Sequence, residues 1–266
     1  MIITRLTGGL GNQMFQYAAA RAYSNRTGYP FAVDILDVQR NPDRNYELEH
    51  LCCNPKKASV WHRVRNNGIV VDERVTTPEH FTSMTLDHLD MIGYWQDERY
   101  FKDYEKEIRH DFTLRDALDD KNNAMLRQIR ACENPVSVHI RRGDYVGNPV
   151  HPVMDVDYYW AATRQIESKV DNPEYFVFSD DINKAWFPNV DNIKIWVDIN
   201  DAHHGYLDLE LMKNCKHHII ANSSFSWWGA WLGCNPDRIV VAPKLWFSSG
   251  EHRIALPEKW VRLFHV

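Results

Sequence analysis

"TGGLGNQMFQYA", Thr7 to Ala18, decides how the start of the chain folds. The apolar run Met1-Ile2-Ile3 before it has the β-branching of a short strand. Met14, Phe15, Tyr17, Ala18 and Ala22 follow at helical spacing, and "FAVD" then reads as a strand ending in Asp34. Strand, glycine loop, helix, strand and acid together outline a dinucleotide-binding fingerprint. Gly9 and Gly11 fill its first two glycine positions, but Met14 stands where a Gly or Ala must let helix and strand pack closely. The match is weak, so a nucleotide-binding oxidoreductase remains only an alternative. Asn12 and Gln13 in the same loop are amides suited to donating hydrogen bonds to phosphate or sugar oxygens.

The 266 residues permit one large domain or two ordinary ones, with 44% apolar residues to build a core. A net charge of −5 argues against a nucleic-acid partner. Ten Trp and 12 Tyr suit large aromatic cores and sugar-handling clefts equally. The cysteines (Cys52, Cys53, Cys132, Cys215 and Cys234) are odd in number and lack a CxxC pair, which argues against a disulfide framework and a structural zinc. "MIITRL" is not built as a signal peptide, and no apolar run approaches the roughly 18 residues of a membrane span. The expected location is cytoplasmic, where the sequons at Asn25 and Asn222 would carry no meaning.

"DVQRNPDRNYELEH" after Asp34 reads as a surface loop, and Asn54 to His110 is irregular with short helical signals. "RDALDDKNNAMLRQIRACENP" contains an amphipathic helix that ends before Pro135. From Val136 the pattern alternates regularly. "PVSVHI", "EYFVFSDD", "IKIWVDI", "HHIIA" and "DRIVVAP" read as strands. Helices fall on "DVDYYWAATRQIESKV", capped by Asp155 or Asp157, on "HGYLDLELMKNC", and on "FSWWGAWLG" with Gly233 as C-cap. Such alternation implies a parallel sheet with helices on both faces and a ligand at the carboxyl ends of its strands. The expected domains are residues 1–130 and 131–266, and whether the C-terminal segment crosses back is left open.

Three strand ends carry conspicuous polar residues. "HIRRGDY", His139 to Tyr145, sets Arg141 and Arg142 beside Gly143. Paired arginines are costly to bury without an anion, and the guanidinium fork matches phosphate bidentately. Asp144 either locks a guanidinium in a rim salt bridge or acts as a base. "ANSSFSWWGAWL" delivers Asn222, Ser223 and Ser224 to a helix N-terminus, whose N–H groups and partial positive charge seat phosphate. Ordinary capping by Ser224 or Ser226 is the alternative. "FSDD" supplies Asp180 and Asp181, which suit a ribose or an arginine. "DVD" at Asp155–Asp157 imitates a metal-binding DxD, but before a helical run it favours capping. His203-His204 and His217-His218 lack metal-ligand spacing, so no metal is assigned.

"GGLGNQMFQYA", "HIRRGDY", "FSDD" and "NSSFSWWGAWL", in this order across nearly the whole chain, resemble the α-1,2-fucosyltransferases of bacteria and animals. The resemblance implies an α/β, two-domain GT-B-like fold with Rossmann-like domains: an acceptor-side N-terminal domain and a donor-binding C-terminal one. It implies GDP-L-fucose as donor, no metal or other cofactor, and inverting transfer to O2 of a terminal galactose on an oligosaccharide. By resemblance Arg141 and Arg142 hold the donor pyrophosphate. His139 and Asp208 fall near residues that recognise the guanine end. Ser223, Ser224 and Phe225 fall on the phosphate-seating loop. Gly11, Asn12 and Gln13 match a glycine-Asn-Gln loop that reaches the donor in protein O-fucosylating relatives, which makes Asn12 a catalytic candidate beside Arg141. The general base stays open between Asp144, His151 and Asp37. A metal-dependent DxD transferase is the competing enzyme class. A lipid-linked acceptor would bring the protein to a membrane surface, although no basic amphipathic helix marks this.

Overall fold

The computed structural model describes residues 1–59, 68–182, 186–188, 194–249 and 255–264. The chain divides into two compact units, Met1–Asp116 and Ala117–Val266.

The first unit contains strands β1 (Ile2–Arg5), β2 (Phe31–Asp34), β3 (Lys56–Lys57), β4 (Ile69–Asp72) and β5 (Leu89–Ile92), in the order β3-β2-β1-β5-β4. All its pairings are parallel. The expected unit around the glycine loop is present: β1 leads into helix Leu10–Thr27, which returns the chain to β2. This helix is buried on nearly every side, because Phe15, Tyr17 and Tyr23 meet Phe101, Phe31, Phe112 and Phe81 around it. Burying each such ring contributes about 1.5–3 kcal/mol. The loop expected after Asp34 holds a short helix at Leu36–Arg40 and a turn at Leu48–His50. The irregular Asn54–His110 region supplies β3, β4 and β5; its residues 60–67 lie outside the described residues.

The second unit contains β6 (Pro135–Ile140), β7 (Glu174–Ser179), β8 (Lys194–Trp196), β9 (His217–Ile219), β10 (Val240–Pro243) and β11 (Val261–Leu263). Their order is β11-β10-β9-β6-β7-β8, again with parallel pairings throughout. Counted from β6, this is the 3-2-1-4-5-6 order of the doubly wound dinucleotide fold, with its reversal between β6 and β9. β11, which the sequence did not reveal, keeps the C-terminal segment on this sheet. The first residue of the expected strand "IKIWVDI", Ile193, lies outside the described residues.

Strand alternation separates the two faces of this sheet. Val136, Val138, Ile140, Tyr175 and Val177 pack with Tyr158, Tyr159 and Ile166 of helix Val156–Glu167. Phe176 and Phe178 on the other face pack with Leu211 and Met212 of helix Gly205–Lys213. Met125, Leu126 and Ile129 of helix Asp120–Ala131 join that second cluster. The second unit therefore begins at Ala117, before this helix, whereas the sequence put the boundary after it. Amphipathicity shows that a helix must cover a sheet but not which sheet it covers. Gly233 lies just beyond the C-cap Leu232; its N–H donates to the Ala230 carbonyl at 3.2 Å, and a Cβ on it would stand 2.7 Å from His218 Nε2, so it both closes the helix end and makes room for that ring.

Candidate active site

At the carboxyl end of β6, the backbone turns through Arg141 and Arg142 into a single helical turn at Gly143–Tyr145. Gly143 is required there: its φ is +21°, and a Cβ would stand 2.3 Å from the Asp180 carboxylate. That carboxylate, beyond the end of β7, accepts from the Arg142 backbone N–H at 2.8 Å and pairs with Arg141 Nη1 at 2.8 Å. Arg141 also donates to Asp144 and lies over the Tyr145 ring, 5.2 Å from its centre. Arg142 is held less tightly. Its Nε stands 4.0 Å from Asp181 and is buried without a hydrogen-bond partner among the described residues. An unmet charged donor at a sheet's reversal point is what an arriving anion satisfies. Asp144 is about half exposed, so an anion at Arg141 can turn it aside.

The neighbouring strand end, after β9, completes the crevice. Asn222 is fully buried; its Nδ2 donates to the carbonyls of Pro152 and Trp246, and its Oδ1 has no hydrogen-bond partner among the described residues. Tyr145 Oη donates to the Asn222 carbonyl at 3.1 Å, tying the two strand ends together. Ser223 is the N-cap of helix Ser224–Trp231, but its side chain makes no capping bond. The Ser226 hydroxyl does not cap it either, since it bonds His139 Nδ1 at 2.9 Å and the Ser223 carbonyl at 3.3 Å. Trp227, Trp228 and Trp231 are all buried.

His139 lies beneath this loop rather than on its surface. Its ring is fully buried, 5.3 Å from Phe225. Burial, with Arg141 as a smaller cause, pulls its pKa down to about 3, so it is neutral at physiological pH. Asp208, on helix Gly205–Lys213, accepts from Asn200 at 2.7 Å, and burial pushes its carboxyl up to about 6. The first turn of that helix adjoins Phe225, which stands 3.6 Å from a Cβ built on Gly205. His151 stacks on Tyr145 at 4.9 Å and meets Phe247 at 5.0 Å. Burial lowers its pKa as well. Asp155 accepts from the Tyr158 N–H at 2.7 Å and so serves as a helix cap. The fold thus gathers His139, Arg141, Arg142, Asp144, Asp180, Asp181, Ser223, Ser224 and Phe225 at adjoining strand ends, with Asp208 on the next helix.

In the first unit, Gly8 (φ +77°) leaves the hollow that Asn12 fills; a Cβ there would stand 2.4 Å from Asn12 Nδ2. Asn12 Oδ1 accepts from Gln96 Nε2 at 2.8 Å. Gln13 and Gly11 are buried, and Gln13 donates to the carbonyls of Gly8 and Asn45 while accepting from the Glu47 N–H. Its amide is committed to shaping the loop and is not displayed to a ligand, which corrects its assignment as a donor-binding residue. Glu47 itself caps the helix by accepting from the Leu10 N–H at 3.1 Å, and burial raises its pKa to about 7. Sequence reasoning missed Glu47 and Gln96, because each acts on a residue far away in the chain. Asp37 lies exposed in the short helix after β2.

Residues 1–263 match the profile of Glycosyl transferase family 11. The chain is 34% identical to an alpha-1,2-colitosyltransferase of Escherichia coli, covering 99% of both sequences. It is 27% identical to the galactoside 2-alpha-L-fucosyltransferase Sec1 of Mus musculus, covering 97% of this chain and 71% of that one. Among solved structures it resembles the NodZ alpha-1,6-fucosyltransferase soaked with GDP-fucose. The TM-score is 0.54 at 16% identity, over 90% of this chain and 94% of that one. That likeness shows the fold: two Rossmann-like units of the GT-B type. No described helix is long and apolar enough to cross a membrane.

Proposed function

The chain belongs to glycosyl transferase family 11, and on that premise we propose that it transfers L-fucose from GDP-L-fucose to O2 of a terminal galactose, with inversion and without a metal. Family membership makes it a glycosyltransferase and removes the oxidoreductase alternative. The observation that carries the donor reading is the buried Arg142 Nε at the β6–β9 reversal, which has no hydrogen-bond partner among the described residues.

Breaking the bond between sugar and phosphate places charge on the leaving GDP and makes the sugar oxocarbenium-like. Arg141, Arg142 and the N-terminus of helix Ser224–Trp231 stabilise that charge, and one such donor is worth on the order of 10²–10³ in rate. Asp180 holds both arginines in place through its two oxygens. Asp208, largely ionised at pH 7, can accept the N–H groups of a guanine edge. The pyrophosphate displaces Asp144 from Arg141, and its carboxylate is the first base candidate for the acceptor hydroxyl. His151, held between Tyr145 and Phe247, and exposed Asp37 are the other candidates.

The colitosyltransferase relative favours a second reading in which the donor sugar is colitose, which is fucose lacking its 3-hydroxyl. The test incubates the protein with lactose and either GDP-L-fucose or GDP-L-colitose, in excess EDTA, and identifies the product linkage. An α-1,2-fucosylated product formed faster than the colitosylated one supports the proposal. A preference for GDP-L-colitose moves the donor to the second reading, and loss of activity in EDTA restores the metal-dependent class.

A further inference from the structure

Strand β5 ends beside β1, at the reversal point of the first sheet, and the chain continues as "GYWQD", Gly93 to Asp97. This loop carries two left-handed residues in three positions: Gly93 at φ +136° and Trp95 at φ +58°. A bulky residue with positive φ is a genuine outlier, and such strain persists only where the surroundings over-determine it. They do so here. The Trp95 ring is fully buried, 4.8 Å from Phe81 and 5.0 Å from Tyr100. Glu73 accepts from the N–H groups of Tyr94 at 2.6 Å and Gln96 at 3.1 Å, one with each carboxylate oxygen. Gln16 Nε2 donates to the Gly93 carbonyl at 3.0 Å.

The strain has a directional result. With Trp95 driven into the core, Tyr94 faces outward and is 46% exposed. The Gln96 side chain turns to Asn12 and donates to its Oδ1. An exposed aromatic ring, two residues from the amide that holds Asn12, therefore lies at the place where an open parallel sheet takes its ligand. Of the charged groups here, Glu73 is occupied by the loop's own N–H groups and Asp97 pairs with Arg99, so the pattern does not suit a phosphate. It suits a pyranose, whose C–H face stacks on a ring while its hydroxyls meet amides.

We infer that the Gly93–Asp97 loop is the acceptor-sugar seat of the first unit, with Tyr94 as the stacking ring and Gln96 as the residue that positions Asn12. This rests on the reading of the protein as a transferase to galactose. Gly93 is part of the same device, since a Cβ there would stand 2.5 Å from Glu73 Cβ.

The test measures saturation-transfer NMR between the intact protein and methyl β-D-galactoside, with GDP present, followed by initial rates with GDP-L-fucose. Saturation of the sugar's H3, H4 and H5 in the wild type, lost in Tyr94→Ala and kept in Tyr94→Phe and Tyr94→Trp, supports the seat. In the rate assay Tyr94→Ala should raise acceptor KM at least tenfold and leave donor KM within about twofold. Gln96→Leu should lower kcat with little change in either KM, and its folding is checked by circular dichroism. Equal saturation in wild type and Tyr94→Ala, or none in the wild type, overturns the seat. The NMR arm does not depend on the donor: galactoside binding at Tyr94 without transfer from GDP-L-fucose would sink the proposed reaction and leave the seat standing.

Discussion

Two strand-end regions of this protein each lie at the reversal point of a parallel sheet and carry opposite chemistry. In each, a parallel sheet reverses its order, a glycine-bearing turn follows the first strand, and a loop after the neighbouring strand closes the crevice. In the second unit the turn holds two arginines with Asp144, Asp180 and Asp181 around them, and Arg142 keeps a buried donor unmet. In the first unit the turn holds amides, of which Gln13 is tied to backbone and Asn12 to Gln96. The glycines follow the same division. Gly143 lets a carboxylate approach the arginine backbone, whereas Gly8 makes room for an amide. Similar scaffolds thus present different chemistry at their strand ends through a few side chains.

The contrast breaks most sharply at Arg142. Arg142→Ala should cut transfer by roughly 10²–10³ while the fold survives, since removal of one charge-stabilising donor has that effect. A soluble, folded variant retaining more than about a tenth of the wild-type rate would remove the arginine pair from the mechanism. Asn12→Ala should cost about tenfold or more in kcat and spare GDP affinity, because its loop lies in the unit that lacks the arginines. Equal losses in both quantities would make the two regions alike.

Gly143→Ala sharpens the comparison through sterics. The new Cβ must push Asp180 away from the Arg142 N–H, and losing a charged hydrogen bond of this kind should weaken GDP binding about tenfold. Gly8→Ala should instead disturb Asn12 and leave GDP binding intact. Isothermal titration with GDP distinguishes the two outcomes.

The smallest effect concerns Glu47. Its folded-state pKa of about 7 lies above the ordinary carboxylate value, so the unfolded chain releases its proton first. The destabilisation sets in above the unfolded pKa, grows as pH rises towards 7, and is constant above that. Glu47→Gln keeps an acceptor for the Leu10 N–H without the buried charge. It should raise Tm at pH 8 by on the order of 3 °C and leave it unchanged near pH 4.5. An unchanged Tm at pH 8 would show that the carboxylate is not strained at that helix end.

The second unit was largely legible in the sequence, because β6, β7 and β10 are rich in apolar and β-branched or aromatic residues and end in polar turns. The later part of the first unit was not. β3, β4 and β5 span only two to four residues each, and helix Pro78–Ser83 stands between β4 and β5, so they give no periodic signal. Gln13 shows why a motif can mislead about what a residue does, since its bonding partners Asn45 and Glu47 lie in a loop whose path no local pattern reveals. His139 lies in the most informative motif yet is buried under it, as its position on the Phe178 face of the sheet requires. Trp95 could have been suspected, since a glycine before aromatic residues at a strand end often marks unusual backbone.

The central claim is that the second unit holds the nucleotide and the first unit acts on transfer. Titration of GDP into the wild type, Arg142→Ala and Asn12→Ala by calorimetry tests it most directly. Micromolar-class binding is expected in the wild type and in Asn12→Ala, with at least about a tenfold loss in Arg142→Ala. Undiminished binding in Arg142→Ala together with loss in Asn12→Ala would contradict it.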